Sequence, residues 1–328
     1  MKPNLEATTQ AFINDLESKG GTPIYKLTPE QARAVLENVQ SGPVTKAAVA
    51  IEEKTLSCGP QGTVRVSIIR PENTKEKLPV ILFIHGAGWV MGSLSTHDHL
   101  VRELAVGTRS AVVFVHYCRS PEARFPIAIE ESYAVAQQIV EKGAEWNLDT
   151  TRLAVCGDSV GGNMSIALTL LAKKRKGPKF DCQILFYPVT SAELNTPSYS
   201  QFANGPWLTK PAMQWFWDAY ETDVAARKNL LCSPLLASIE ELKGLPPAII
   251  MTAENDVLRD EGELYASKLM QAGVKVTATR FLGTIHDFVM LNALADTPAA
   301  RGAISLATLY LNEMWAAKKS SKPSKKIA

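Results

Sequence analysis

The sequence predicts an α/β fold: a mostly parallel, doubly wound sheet carrying a helical cap. Three observations predict it. Runs at 80–84, 111–115, 153–156, 184–186 and 248–251 are continuously apolar, the pattern of strands buried on both faces of a parallel sheet. Stretches of helical character at 99–106, 127–141, 162–173 and 260–271 lie between and after them, and strands alternating with helices make a parallel sheet wound on both sides. Finally, the run at 153–156 leads through Gly157-Asp158-Ser159-Val160-Gly161-Gly162-Asn163 into an Ala/Leu-rich stretch. That is strand, tight turn and helix in immediate succession.

Residues 1–48 read as a helical piece separate from the sheet, forming the N-terminal part of the cap. Thr28-Pro29-Glu30-Gln31 is a helix start, with a threonine cap, proline in the first turn and glutamine three residues on. Apolar residues at helical spacing follow over 32–39, and Ser41-Gly42-Pro43 ends the segment. Strands begin near Ala50. Val64, Val66 and Ile68 alternate with Arg65 and Ser67, the period-two pattern of a half-exposed strand. The sheet and its helices occupy 49–190 and 237–317. Between them, 191–236 is too long for an ordinary loop and is rich in aromatic residues, among them Phe202, Trp207, Trp215, Phe216, Trp217 and Tyr220. It reads as the inserted part of the cap, helical over 210–221. Residues 318–328, rich in lysine and serine, read as a basic, disordered tail.

The chain has 328 residues, of which 46% are hydrophobic and 21% charged, and a net charge of +2. Such a balance points to neither a nucleic-acid nor a membrane partner. No run approaches the ~18 apolar residues of a membrane span. The first residues lack the apolar stretch of a signal peptide. The cysteines (Cys58, Cys118, Cys156, Cys182 and Cys232) are odd in number and scattered, which suits free thiols in a reducing, cytoplasmic compartment better than a disulfide framework. The oligomeric state is open, a homodimer included.

Ser159 is the candidate nucleophile. Glycines on either side let the chain turn sharply, and the following helix aims its free N–H groups and positive dipole end at the same spot. A serine there attacks a carbonyl if a base takes its proton and a carboxylate orients the base. The glycine-flanked elbow resembles that of the α/β-hydrolases, and the resemblance implies that the partners follow in the order acid, then histidine. Only His286 of the five histidines follows Ser159. The acid belongs at the end of the strand at 248–253. Asp256 is the choice there, with Glu254 as fallback, while Asp260 has the spacing of a helix cap. The oxyanion of the reaction needs N–H groups from Val160 and from the loop after the third strand, His85-Gly86-Ala87-Gly88-Trp89. Gly86, Ala87 and Gly88 are its candidates, His85 braces the loop, and Trp89 is expected to line an apolar substrate pocket. Thr96-His97-Asp98-His99 reads as a helix start rather than a metal site. No metal or organic cofactor is required.

These motifs resemble those of the hormone-sensitive-lipase-like esterases of the α/β-hydrolase superfamily. Gly157 to Asn163 is similar to that family's GDSAGGN, His85 to Trp89 to its HGGGW, and the segment from Tyr117 to Pro126 to its YRLAPE-x-x-FP loop. Asp256-Val257-Leu258-Arg259-Asp260-Glu261-Gly262 resembles DPLRDEG, and His286-Asp287-Phe288 resembles HGF. The resemblance implies a carboxylesterase acting on small acyl esters of short to medium chain length, with Asp256 as the acid. An amidase or deacetylase on the same triad is the alternative, and a non-catalytic receptor is disfavoured by the presence of His286. There are departures. Ala87 replaces a glycine, which is tolerable only at negative φ. Val160 replaces an alanine beside the nucleophile, where its side chain is expected to crowd the acyl pocket. Asp287 replaces the glycine after the histidine, placing a carboxylate that raises the pKa of the base.

Overall fold

The computed structural model describes residues 3–320. Two helices come first, α1 (Ala7–Lys19) and α2 (Pro29–Val39). The predicted start of α2 has both halves of a capping box. Thr28 Oγ1 accepts from the Gln31 N–H, and the Gln31 side chain accepts from the Thr28 N–H. The chain then enters an eight-stranded sheet: β1 (Val49–Leu56), β2 (Val64–Pro71), β3 (Leu78–Ile84), β4 (Ala111–His116), β5 (Leu148–Asp158), β6 (Gln183–Phe186), β7 (Ala248–Asn255) and β8 (Val276–Ile285). Their spatial order is β1-β2-β4-β3-β5-β6-β7-β8. Strand β2 runs antiparallel to β1 and β4, and from β4 to β8 all pairs are parallel.

Helices α3 (Leu94–Thr108), α4 (Ile127–Lys142), α5 (Val160–Arg175), α6 (Pro197–Gln201), α7 (Lys210–Tyr220), α8 (Ile239–Leu242), α9 (Arg259–Gln271) and α10 (Pro298–Ser320) fill the connections and the end. The physical reason for the central strands is plain in their burial. Every residue of β3 and β6 is buried, which only a strand covered on both faces achieves. Helix α5 is buried all round from Val160 to Ala172; its residues there are mostly apolar, and the polar exceptions Asn163, Ser165 and Thr169 each donate to a backbone carbonyl.

Two expectations need correction. Asp260 does not cap α9. It lies inside the helix, where its carboxylate accepts from the Ser198 N–H and pairs with Arg259. The expected tail begins too early, because α10 continues to Ser320. Lys318 stays with the fold by donating to the Thr151 carbonyl and pairing with Asp181. Residues 321–328 of that expectation lie outside the described residues. Among the described residues no helix is long and apolar enough to cross a membrane. All five cysteines are free, three buried and two half-buried.

Candidate active site

The candidate residues stand directly after the carboxyl ends of parallel strands, where open α/β sheets place their sites. Ser159 follows β5, Asp256 follows β7 and His286 follows β8. The neighbouring strands β7 and β8 are tied at their ends, where Asn255 Nδ2 donates to the Thr284 carbonyl. This brings the three side chains into one line. His286 Nδ1 lies 2.7 Å from Asp256 Oδ2, and His286 Nε2 lies 2.8 Å from Ser159 Oγ. With Nδ1–H donating to the carboxylate, Nε2 is left to accept the serine proton. Asp256 Oδ1 accepts from the Leu258 N–H, which fixes the carboxylate. The fallback acid Glu254 turns elsewhere and accepts from the Gly283 N–H at 2.7 Å.

Ser159 has φ 53° and ψ −119°, an unusual backbone state for a non-glycine residue. The flanking glycines serve this turn by close approach rather than by positive φ. A Cβ on Gly161 would meet the Ile84 carbonyl oxygen at 2.0 Å, and one on Gly157 would meet the Gly161 carbonyl oxygen at 2.3 Å. The elbow is therefore packed backbone to backbone against the end of β3.

The loop after β3 has left-handed backbone at Ala87, Gly88 and Trp89, with φ of 72°, 67° and 60°. The condition of negative φ at Ala87 is thus not met, and the alanine carries strain that a glycine would not. Among the described residues, the backbone N–H groups of Ala87, Gly88 and Val160 have no acceptor. Gly86 differs, because its N–H donates to Asp158 Oδ1 at 3.0 Å. This corrects Gly86 as an oxyanion donor: its hydrogen is already spoken for. The other oxygen of Asp158 lies 3.2 Å from His97 Nε2. Burial disfavours charge on His97, but Asp158 outweighs it and raises the pKa. His97 and His99 diverge, the latter reaching the Thr45 carbonyl.

His85 stacks between Phe114 and Tyr117, with ring centroids 5.3 and 4.2 Å away. Burial holds its pKa well below the ordinary value, as befits a neutral brace.

A cavity of about 620 Å³ opens over Ser159 and His286. Its walls come from the first helices and the loop between them, including Leu16, Tyr25 and Val39, and from Trp207, Met213 and Phe216 of the inserted segment. Phe12 and Trp207, one from each segment, have ring centroids 5.6 Å apart. Trp89 is absent from these walls, which corrects it as a pocket residue. Its fully buried ring stacks on Tyr220 at 4.0 Å and tilts against Trp217 at 4.7 Å. The Val160 side chain, also fully buried, does not crowd the cavity.

Asp287 does stand beside the base, with Oδ1 3.4 Å from His286 Nε2. Burial of His286 opposes its charged form, but Asp256 and then Asp287 outweigh it and raise the pKa to about 9. The carboxylate is itself held from the inserted segment, since Trp207 Nε1–H donates to Asp287 Oδ2 at 2.9 Å. Sequence reading missed that contact, as it missed Asp158 as the acceptor for Gly86. The sequence signal for Asp158 was its fixed place before the serine.

The geometry agrees with known proteins. A family model described as α/β hydrolase fold matches residues 81–290. A thermostable esterase from Pseudomonas putida ECU1011 is 47% identical and superposes with a TM-score of 0.94, covering 96% of this chain and 98% of that one. Carboxylesterase NlhH of Mycobacterium tuberculosis is 36% identical over 85% of this chain and 88% of its own length. Ethyl acetate hydrolase of Pseudomonas putida is 32% identical over 90% and 94% respectively. Fold, seryl-imidazole-carboxylate line and relatives agree: the chain belongs to the α/β-hydrolase family of hormone-sensitive-lipase-like esterases, as a serine carboxylic ester hydrolase that works through a Ser-His-Asp triad.

Proposed function

We propose that Ser159, His286 and Asp256 are the nucleophile, base and acid of this esterase, and that its substrates are small esters of short to medium acyl chain. The observation that carries the assignment is the continuous line from Ser159 Oγ through His286 to Asp256, at 2.8 and 2.7 Å. His286 takes the serine proton as Oγ attacks the acyl carbon. The oxyanion is met by the N–H groups of Ala87, Gly88 and Val160, which have no other acceptor among the described residues. His286 then gives the proton to the leaving alcohol, and water releases the acyl group from Ser159.

The N-terminal helices and segment 191–236 act as a cap over the site. Their apolar lining supports uncharged acyl groups, and free cysteines support a cytoplasmic setting. The test is a 4-nitrophenyl ester series on the natural chain and on Ser159→Ala. Turnover should be greatest at short to medium acyl chains, and the variant should lose at least about a thousandfold while keeping its fold. Rates that climb steadily into long-chain esters would refute the substrate range, and an active Ser159→Ala would refute the nucleophile.

A further inference from the structure

We propose that Asp287 is a catalytic residue of the second half-reaction: its Oδ1 accepts the spare hydrogen of the water that His286 activates, which favours hydrolysis of the acyl-enzyme over its transfer to alcohols. The inference rests on the triad assignment above and adds a further group to it.

Three observations converge on one oxygen. Asp287 is buried and lies on the cavity wall with Ser159 and His286. Its Oδ2 is committed to the indole N–H of Trp207 at 2.9 Å, which fixes the rotation of the carboxylate. Its Oδ1, buried as an atom, accepts no hydrogen bond among the described residues and lies 3.4 Å from His286 Nε2. A buried carboxylate oxygen left without a donor is unfavourable. Here it faces the atom that must take a proton from the attacking water.

The geometry suits a molecule with two hydrogens. An oxygen within hydrogen-bond reach of both Nε2 and Oδ1 sits at the apex of a triangle whose base is 3.4 Å. In deacylation the water oxygen bonds to the acyl carbon, and one hydrogen passes to His286 Nε2. The other stays on that oxygen, donating to Asp287 Oδ1. The bond from the acyl carbon to Ser159 Oγ then breaks, His286 returns its proton to Oγ, and the carboxylic acid departs with the spare hydrogen. Asp287 gains no proton in the cycle. An alcohol has a single hydroxyl hydrogen, which His286 takes, so it has nothing to offer Oδ1.

Partition of one acyl-enzyme separates this role from a structural one. Both attackers use the same base, so altered basicity or orientation of His286 slows them together, whereas loss of the Oδ1 acceptor slows water alone. Butyryl-enzyme is formed from 4-nitrophenyl butyrate and from phenyl butyrate in a fixed concentration of methanol, and butyrate and methyl butyrate are counted by gas chromatography. Asp287→Asn keeps the volume. Its amide oxygen must face Trp207, turning an NH₂ toward the water. The methyl butyrate to butyrate ratio should rise roughly tenfold, the worth of one hydrogen bond to a charged acceptor. Asp287→Gly, which suits the φ of 65° at this position, should raise it as well and serves if the asparagine variant folds poorly. Ratios within twofold of the natural chain in both variants would overturn the proposal alone. Ratios that differ between the two esters in the natural chain would remove the shared acyl-enzyme, and the proposal with it.

Discussion

The electrostatics of His286 set a pH profile that can be worked out in advance. Two carboxylates, Asp256 and Asp287, hold its pKa at about 9 against the opposing effect of burial. The base works only when neutral. At pH 7, about two units below that value, roughly 1% of the free enzyme carries a neutral imidazole, so kcat/KM should lie about a hundredfold below its plateau. The perturbation is pH itself, from 6 to 10.5. The assay is kcat/KM for an ester of a non-ionising alcohol such as ethyl butyrate, followed in a pH-stat. The profile should rise through an apparent pKa near 9. Stability should move the other way. The folded-state pKa lies above the unfolded value of about 6.5, so the contribution of this group is complete below pH ~6.5 and is lost as pH rises through about 9. The alkaline range thus joins the highest activity to reduced stability. A profile already flat by pH 7 would refute the claim that the paired carboxylates outweigh burial.

Two substitutions test the backbone around the site. Gly161→Ala puts a Cβ 2.0 Å from the Ile84 carbonyl oxygen, a backbone atom with no room to retreat. It should cost at least about 3 kcal/mol, and a variant melting within a degree of the natural chain would show that the elbow yields. Ala87→Gly removes the strain of a Cβ at φ 72° and adds chain entropy to the unfolded state. The balance should run from neutral to about 1 kcal/mol stabilising, read by thermal melting, with a clear loss of stability as the contrary result.

The sheet was legible because its central strands are buried on both faces and so cannot disguise their apolar runs. The triad was legible for a different reason. Its members follow strand ends, and chain order leaves His286 as the sole histidine beyond Ser159. What escaped depends on contacts across the chain. Nothing local in Trp207 announces that its N–H reaches a carboxylate at Asp287, nor in Gly86 that Asp158 claims its hydrogen. Trp89 was misassigned because an aromatic residue beside an oxyanion loop fits a pocket and a stacked core equally well in sequence. Its partners Trp217 and Tyr220 decide the matter only in space. The role of the elbow glycines was found for an incomplete reason: tightness of turn was legible, contact with the Ile84 carbonyl was not.

The base hangs from the margin of the sheet. Among the described strands β8 is the last of the sheet and pairs with β7, its far side meeting only the N-terminal segment where the Glu6 N–H donates to the Gly283 carbonyl, and its residues before Thr284 are partly or fully open to solvent. Ser159, by contrast, is seated beside the centre. Edge strands fray before central ones, so mild denaturant should silence the enzyme while its core is still folded, by loosening one rim rather than by melting the whole.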